Sequence, residues 1–392
     1  MRNLIPITIA CIAALLVAGC SGPTSSGGSG TDNGVPVITD SEGTPVTYPP
    51  NPFAPPSSTT QVFGSGATFP KPLVESWGLE YHNRVESSVQ VSYAGGGSGK
   101  GISDVTKKDV LFAGSDAPMS VNEKAAASGI LHFPETLGVI AVVYNVAGVP
   151  DGLKLDGETI GKIYAGTIKK WNDPAITALN PGVSLPDNSI AVARRSDSSG
   201  TTFAYTDFLA KTSPTWSAKV ASSATKMPDW TKSSATLLAD NGNDGVAGRV
   251  KQTPNSIGYV ELAYVKSQGL KAAQVKSHDG EFLAPSTEGG SKAAAGASSG
   301  LPAPDGDWSR VSIADASGAG AYPISTFSYI LVYDSTAAYG SRLSGVDNQM
   351  AAFKAWMWWC LHEGQAYSEL LGYAPLPAEV AAIGETALRS IQ

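Results

Sequence analysis

The fold is decided by the stretch AVARRSDSSGTTFAYTDFL, residues 191–209, which is dense in polar groups at its centre. Its apolar start predicts a buried strand and its end predicts a helix, with a Ser/Gly/Thr turn between them. The first N–H groups of a helix lack intrahelical partners and carry the positive end of the helix dipole. Glycine in the turn lets a ligand approach the backbone closely. The stretch therefore indicates an anion site, although Ser, Thr and Gly are also ordinary turn and cap residues.

The same plan occurs twice more, nearer the N-terminus. VFGSGATFPKPLV (62–74) and VSYAGGGSGKGISDV (91–105) each read as a strand, a turn of small residues and a helix. One such turn is weak evidence for a ligand. Three in one chain, one of them with Arg194 and Arg195, favour a site for a small anion.

Strand-like and helix-like segments alternate from Gln61 onward. A helix with one apolar face is predicted for KPLVESWGLEYHNR (71–84). Buried strands are predicted for LGVIAVVYNV (137–146), SIAVARR (189–195) and FSYILVYD (327–334). This alternation predicts an α/β fold with largely parallel sheets.

Length and charge narrow the class of protein. A chain of 392 residues exceeds one typical domain and suggests two domains or one two-lobed unit. The formal net charge is −7, and the sequence contains no basic run. Binding to nucleic acid is therefore not expected, because it needs a positive footprint. A small anionic ligand remains compatible, since local donors dominate the potential inside a cleft.

The N-terminus is predicted to be a targeting signal followed by a tether. Arg2 precedes the apolar run LIPITIACIAALLVAG (4–19), which is short for a membrane-spanning helix and typical of a signal peptide. LVAGC resembles a lipobox and makes Cys20 the predicted lipidated first residue after removal of residues 1–19. A plain signal peptide and an uncleaved anchor helix are the alternatives. Residues 20–60 are rich in Ser, Gly and Pro and are expected to be a tether.

The remaining chemistry-bearing residues point to no enzyme, metal site or cofactor. GGGSGKG lacks the first glycine and the final hydroxyl residue of a P-loop, and DNGNDG (240–245) has Gly242 where a calcium loop needs a ligand. The four histidines show no metal-ligand spacing. Cys360 is left without a cysteine partner and is expected to be buried and inert.

Two aspartates have roles that the residues themselves suggest. An apolar strand in VLFAGSDAPMS (110–120) leads into Asp116, which could be a turn or cap residue. In a functional reading, Asp116 accepts the proton that phosphate carries at neutral pH and repels sulfate, which carries none. Asp197 is placed to hold the guanidinium of Arg195 in a bidentate pose.

Six motifs together resemble the substrate-binding proteins of phosphate-specific ABC importers. The resemblance runs in order from about Val62 to Pro377. The motifs are GSGATFPKP, GGGSGKGISD, AGSDAPMS, LDGETIGKIYAGTIKKWNDPAI, RRSDSSGTTF and GYVELAYV. It departs from the usual pattern at Gly99 and Lys100, which follow Ser98, and at Ser198, where glycine is frequent. Lys100 either adds positive potential at the mouth of the cleft or faces solvent.

The resemblance implies a site without catalytic residues. The implied phosphate-binding residues are Thr68, Phe69, Ser98, Asp116, Arg195, Asp197, Ser199, Gly200 and Thr201. Thr68 would use its hydroxyl and backbone, and Phe69 its backbone N–H. Asp116 would accept the phosphate proton, and Arg195, with Asp197 beside it, would supply the positive charge.

The resemblance also implies an architecture and partners. The fold would be an α/β, two-lobed clamp of the periplasmic-binding-protein type, with a hinge and a ligand cleft. Lobe I would comprise residues 61–137 and 326–392, and lobe II residues 138–325. The protein would be lipid-anchored outside the cytoplasmic membrane, in the periplasm or at the cell surface. It would deliver phosphate to two permease subunits driven by two ATPase subunits.

Three other functions stay open at this point. A secreted phosphatase would want a metal cluster or an activated nucleophile. A binding protein for another oxyanion, such as sulfate or a phosphonate, is opposed by Asp116 in the sulfate case. A sensor or adhesin with the same fold would lack a permease. Trp356–Trp359 could form a docking face, although packing of this helix into the core is the more ordinary interpretation.

Overall fold

A computed structural model of the chain describes residues 30–32, 35–39, 44–297 and 300–392. The expected signal peptide and the lipidation site at Cys20 lie outside these residues. The strands are β1 Gly30–Asp32, β2 Val35–Val37, β3 Thr60–Gly66, β4 Val89–Gly95, β5 Phe112–Ser115, β6 Ile130–Asn145, β7 Lys154–Leu155, β8 Ala191–Arg195, β9 Thr236–Asp240, β10 Ser256–Glu261, β11 Lys271–Ala272, β12 Gln274–Lys276, β13 Phe282–Leu283 and β14 Ser325–Tyr333.

Helices follow most of the strands, as the alternating pattern predicts. The α-helices are α1 Lys71–Arg84, α2 Ser98–Lys107, α3 Val121–Ala126, α4 Gly157–Tyr164, α5 Pro174–Leu179, α6 Gly200–Thr212, α7 Pro214–Lys219, α8 Gly242–Gln252, α9 Leu262–Gln268, α10 Thr287–Ala295, α11 Val346–Leu361, α12 Ala366–Leu371 and α13 Ala378–Ser390. Short 3₁₀ turns occupy Trp230–Lys232, Thr336–Tyr339 and Glu363–Gln365. The prediction of an α/β fold is confirmed.

One nine-stranded sheet runs through the protein in the order β4-β3-β5-β14-β6-β10-β8-β9, with β11 also paired to β6. At one end β3 is parallel to β4 and β5, and at the other β8 is parallel to β9 and β10. The middle differs from the expected parallel sheet, because β14 is antiparallel to both β5 and β6, and β10 is antiparallel to β6. Two parallel groups are thus joined through antiparallel strands.

Strand β6 is the connection between the two halves. Its 16 residues are almost all buried. It pairs with β14 through Val139 and with β10 from Ile140 onward. The change of partner lies two residues from the expected boundary between lobes I and II at 137/138. A strand that changes sheet neighbours in this way is a suitable place for a hinge, and the fold is a two-lobed clamp.

Helix α1 illustrates how the sequence pattern fixes the packing. Leu73, Val74, Trp77 and Tyr81 lie on one face at helical spacing and are buried. Proline near the start of the helix costs no intrahelical hydrogen bond. The indole nitrogen of Trp77 donates to the carbonyl of Gly364, 2.6 Å away, which ties the helix to the C-terminal part of the chain.

Helix α11 belongs to the core. Trp356 and Trp358 are at most 1% exposed, and Trp359 is 8% exposed. Cys360 is a free, buried cysteine, as expected. The ring of Phe112 in β5 contacts Trp356, with ring centroids 5.6 Å apart. These tryptophans therefore pack the core and form no exposed docking face.

The expected tether is too long at its C-terminal end. The side chain of Asn51 donates to the carbonyl of Ala355, 2.8 Å away. Phe53 meets the ring of Trp358 edge to face and lies under the ammonium group of Lys354. Because α11 offers an aromatic ring and an accepting carbonyl oxygen on this side, these residues dock on the body before β3 begins.

One segment assigned by number to lobe II packs on lobe I. Ala294 of α10 and Trp308 are buried beside Phe327 and Tyr329 of β14. Ala297 and Leu301 of the same segment pack against this cluster as well. The other lobe boundaries stay predictions.

In the part of the chain that the structure describes, no helix combines the length and apolar character needed to cross a bilayer.

Candidate anion-binding site

Four strand-to-helix turns converge between the lobes. They lead from β3 to α1, β4 to α2, β8 to α6 and β9 to α8. The backbone N–H of Gly99 at the start of α2 donates to the carbonyl of Ser198 before α6, 2.9 Å away. The backbone N–H of Asn243 in α8 donates to Thr68 Oγ1, 3.1 Å away. Helix N-termini from both lobes therefore meet at one place.

The first turn brings Thr68 and Phe69 into this meeting point. Thr68 Oγ1 accepts hydrogen bonds from Asn243, and its carbonyl accepts one from the Tyr264 hydroxyl at 2.6 Å. Phe69 is fully buried, and its carbonyl accepts a hydrogen bond from the Tyr373 hydroxyl at 2.6 Å. Both carbonyls are thus fixed by tyrosines, which sets the orientation of the turn.

The second turn brings Ser98 beside Asp116. Ser98 is the first residue of α2, and its Oγ accepts a hydrogen bond from the Asp116 N–H at 3.1 Å. Both residues face Gly200 at the start of α6. A Cβ placed on Gly200 would overlap Ser98 Oγ and lie 2.7 Å from Asp116 Oδ2. Only glycine leaves room there for the two lobes to face each other around a small ligand.

The third turn holds the buried cation. The side chain of Arg195 is 1% exposed. Its guanidinium donates to both carboxylate oxygens of Asp197, from Nε to Oδ1 at 2.7 Å and from Nη2 to Oδ2. Arg195 Nη1 donates to Thr201 Oγ1 at 3.3 Å. This is the bidentate contact that the sequence suggested, and it fixes the fork of the guanidinium in one direction.

Helix α6 begins at Gly200, five residues after Arg195. Ser199 caps the helix, because its Oγ accepts the Thr202 N–H at 3.1 Å. Gly200 and Thr201 are the first two residues of the helix. The structure therefore brings all nine predicted site residues to one place, while their role in phosphate binding stays a prediction.

The sequence interpretation missed Asn243. Its Nδ2 donates to Thr68 Oγ1 at 3.2 Å and to Thr201 Oγ1 at 3.1 Å, so it joins hydroxyls of the two lobes. It is fully buried, and its Oδ1 accepts the Glu261 N–H. The signal was present in DNGNDG, which is a fourth Gly-containing turn between a strand and a helix.

A cluster of buried acids behind Asp116 was also missed. Ser328 Oγ lies 2.9 Å from Asp116 Oδ1 and 3.1 Å from Glu135 Oε1. Burial raises the pKa of Asp116 to about 7, against the lowering effects of Ser328 and Arg195. Burial also raises the pKa of Glu135 to about 8, and the nearby charge of Asp116 adds to that rise. The sequence contains no local signal for this cluster, because β5, β6 and β14 bring it together.

The two departures from the family pattern do not aim a new charge at the site. Lys100 pairs with Asp104 one helical turn on, and half of its side chain is exposed. Ser198 contributes its backbone carbonyl to the contact with Gly99. Over the described part of the chain, no group of three or more His, Cys, Asp or Glu residues is arranged to hold a metal ion.

Comparison with known proteins agrees with this geometry. The PBP superfamily domain matches residues 53–362. The phosphate-binding protein PstS of Xylella fastidiosa is 33% identical over 357 residues, which are 88% of this chain and 91% of that protein. The protein of the same name from Haemophilus influenzae is 36% identical over 330 residues, covering 84% and 92% of the two chains.

Solved structures share the fold. One is a high-affinity periplasmic phosphate-binding protein, PfluDING, solved with bound phosphate. It superimposes with a TM-score of 0.65 at 19% identity, over 83% of this chain and 93% of its own. At that identity the likeness supports the two-lobed fold alone.

Proposed function

The chain belongs to the phosphate-binding protein family of the PBP superfamily, and from that premise we propose that it binds inorganic phosphate between its lobes. The bound phosphate is delivered to an ABC permease in the cytoplasmic membrane. The ligand leaves unchanged, so the protein is a carrier and not an enzyme.

The observation that carries the proposal is that four buried hydroxyls at the site accept hydrogen bonds but have no acceptor for their own hydrogen among the described residues. The hydroxyls of Thr68, Ser98, Ser199 and Thr201 accept hydrogen bonds from N–H groups. Among the described residues none of the four donates its own hydrogen to a protein acceptor. A hydroxyl has one donor and two lone pairs, and buried donors are normally satisfied. Four donors held ready around one point suit a ligand that is rich in acceptors.

A tetrahedral oxyanion meets that requirement. Arg195 supplies charge that solvent does not screen, because its side chain is almost fully buried. The N-termini of α2, α6 and α8 add the positive ends of their helix dipoles. Phosphate has four oxygens and can therefore use donors from both lobes at once.

Asp116 selects phosphate among the oxyanions. Its Oδ2 faces the start of α6, where it can accept a hydrogen bond from a protonated ligand oxygen. Phosphate keeps at least one proton near neutral pH, whereas sulfate has none and would place an acceptor against an acceptor. Carboxylate and ligand would then repel each other in a desolvated site.

Ligand binding favours the closed clamp. Contacts between Gly99 and Ser198, and between Thr68 and Asn243, cross from lobe I to lobe II at the site. A ligand bonded to both sides of this boundary stabilises the form in which these contacts exist.

The cellular setting is the finer part of the proposal. Residues 1–19 act as a signal peptide, and Cys20 carries the lipid that anchors the protein outside the cytoplasmic membrane. Residues after Cys20 that precede the docked segment form the tether, and that segment includes Tyr48 and Pro49, which contact His362 and Trp358. The permease partner consists of two permease subunits and two ATPase subunits, and the clamp itself needs no cofactor or metal.

Calorimetric titration tests the binding function. Protein stripped of bound ligand by unfolding and refolding is titrated with phosphate and, separately, with sulfate near neutral pH. One-to-one binding of phosphate with no heat from sulfate is expected. A folded protein that binds sulfate as well as phosphate, or neither of them, would contradict the proposal.

A further inference from the structure

Ser328 sits between two carboxyl groups with only one hydrogen to give. Its Oγ is 2.9 Å from Asp116 Oδ1 and 3.1 Å from Glu135 Oε1, and all three residues are at most 1% exposed. A hydroxyl donates one hydrogen bond. If both acids were ionised, one short contact would join two acceptors in a desolvated site. One of the two acids therefore carries a proton and donates it to Ser328.

The surroundings identify Glu135 as the protonated acid. Asp116 lies near the guanidinium of Arg195, which favours its ionised form, whereas Glu135 is near the charge of Asp116, which favours its neutral form. Glu135 Oε2 is buried without a hydrogen-bond partner. An ionised carboxylate with a bare oxygen is far more costly to bury than a neutral acid with a bare carbonyl.

We propose that neutral Glu135 is a specificity-determining positioning residue, which donates to Ser328 Oγ so that Ser328 donates to Asp116 Oδ1. This inference rests on the proposed function. The chain Glu135–Ser328–Asp116 occupies the inner oxygen of Asp116. It keeps Asp116 ionised and leaves Oδ2 as an acceptor toward Ser98 and Gly200, where the ligand proton is read.

Ionisation of Glu135 would undo this arrangement. The new carboxylate would attract the hydrogen of Ser328 away from Asp116 and add a negative charge behind the site. The other titratable groups facing Glu135 are Tyr93 and Cys360, whose pKa values are raised well above their usual range by burial. They stay neutral where Glu135 would ionise.

Four variants of the full chain test the relay by phosphate titration. Glu135→Leu removes the donor and is expected to weaken phosphate binding about tenfold. Glu135→Gln keeps an N–H donor at the same place and is expected to bind within about threefold of the unaltered protein. Ser328→Ala is expected to lose about as much as Glu135→Leu. The double variant should lose no more than Ser328→Ala, because Glu135 acts through Ser328.

The pH profile separates the relay from a packing role. Between pH 7.5 and about 9.5 free phosphate loses the remainder of its second proton, a change that is the same for every variant and cancels when two profiles are compared. Over that interval the unaltered protein should lose about tenfold more affinity than Glu135→Gln, because only the unaltered protein has an acid at this position to ionise. A structural role for Glu135 would leave the two profiles parallel.

The outcomes distinguish this inference from the proposed function. If the unaltered protein does not bind phosphate, the proposed function fails. If it binds phosphate but Glu135→Gln is as weak as Glu135→Leu, or the two pH profiles are parallel, the relay is wrong while phosphate binding stands. Refolding of each variant is checked by circular dichroism. Glu135→Gln hardly changes the side-chain volume. If Glu135→Leu does not fold, the pH profile of Glu135→Gln still tests the relay.

Discussion

The two walls of the site solve different problems. On lobe II, Arg195 is paired with Asp197 and braced by Thr201, so a buried positive charge is held in one direction. On lobe I, Asp116 has only the hydroxyl of Ser328 on its inner oxygen and presents the other oxygen outward. One wall is a satisfied cation and the other a carboxylate whose protonation state matters.

This difference assigns affinity and selectivity to separate lobes. A rigid, desolvated cation attracts any oxyanion of the right size. A carboxylate acceptor rejects those that lack a proton. Because the two functions lie on opposite sides of the hinge, substitutions on lobe II should change binding strength. Substitutions on lobe I should change the choice among ligands.

The largest expected effect comes from removing the cation. Arg195→Ala should weaken phosphate binding at least about 100-fold, because charged hydrogen bonds are lost and the carboxylate of Asp197, whose side chain is only 12% exposed, loses its cation. Calorimetric titration measures the change. Arg194→Ala is the matched control, because the guanidinium of Arg194 lies over the ring of Trp230. This variant should bind phosphate normally. Near-normal phosphate binding by Arg195→Ala would contradict the claim that lobe II supplies the binding strength.

A methyl group at the start of α6 tests the closeness of the two walls. Gly200→Ala should reduce phosphate binding about 30- to 100-fold, because its Cβ would overlap Ser98 and approach Asp116. Gly248→Ala on α8 is the control, since a Cβ there meets no atom within 4 Å. Equal titrations for the two variants would mean that the lobes do not close on each other at Gly200.

The selectivity of lobe I is tested at Asp116. Asp116→Asn should weaken phosphate binding about tenfold and allow measurable sulfate binding, because the amide can donate to an unprotonated oxygen. Competition between the two anions gives the ratio directly. Asp173→Asn, which changes a cap on α5 away from the site, should leave the ratio unchanged. An unaltered ratio in Asp116→Asn would assign selectivity to another group.

The smallest effect is expected at an ion pair that crosses the cleft. Lys226 Nζ on lobe II lies 2.5 Å from Glu123 Oε1 on lobe I, and both side chains are partly exposed. Lys226→Ala should weaken phosphate binding two- to fivefold by favouring the open clamp, an effect of about 0.5–1 kcal/mol. Lys232→Ala, which breaks a pair within lobe II, should have no effect on the titration. A loss above about 20-fold would give this pair a role in the site itself.

The sequence predicted what depends on local pattern. Each strand-to-helix turn spans only a few residues, and Arg195 and Asp197 are two residues apart in the sequence. Glycine and hydroxyl residues between an apolar strand and a helix are typical of a helix start, so the turns are visible in the sequence. The buried face of α1 was equally clear, because its apolar residues repeat at helical spacing.

The features that could not be predicted from the sequence depend on contacts between segments that are distant along the chain. Ser328 and Glu135 lie in apolar strands, and only the pairing of β14 with β5 and β6 brings them to Asp116. Asn243 lies in DNGNDG, a turn whose acidic residues are more typical of a calcium loop than of an anion site. Trp308 stood alone in a polar stretch, so nothing nearby indicated the core that it joins.

The central claim is that one ligand bridges two unlike walls, and a crystal structure grown with phosphate tests it most directly. The account predicts phosphate oxygens within hydrogen-bonding distance of Arg195 and the start of α6 on one side. On the other side it predicts Thr68, Ser98 and Asp116 Oδ2. Phosphate bound to only one lobe, or bound elsewhere with Asp116 facing no ligand oxygen, would contradict the account.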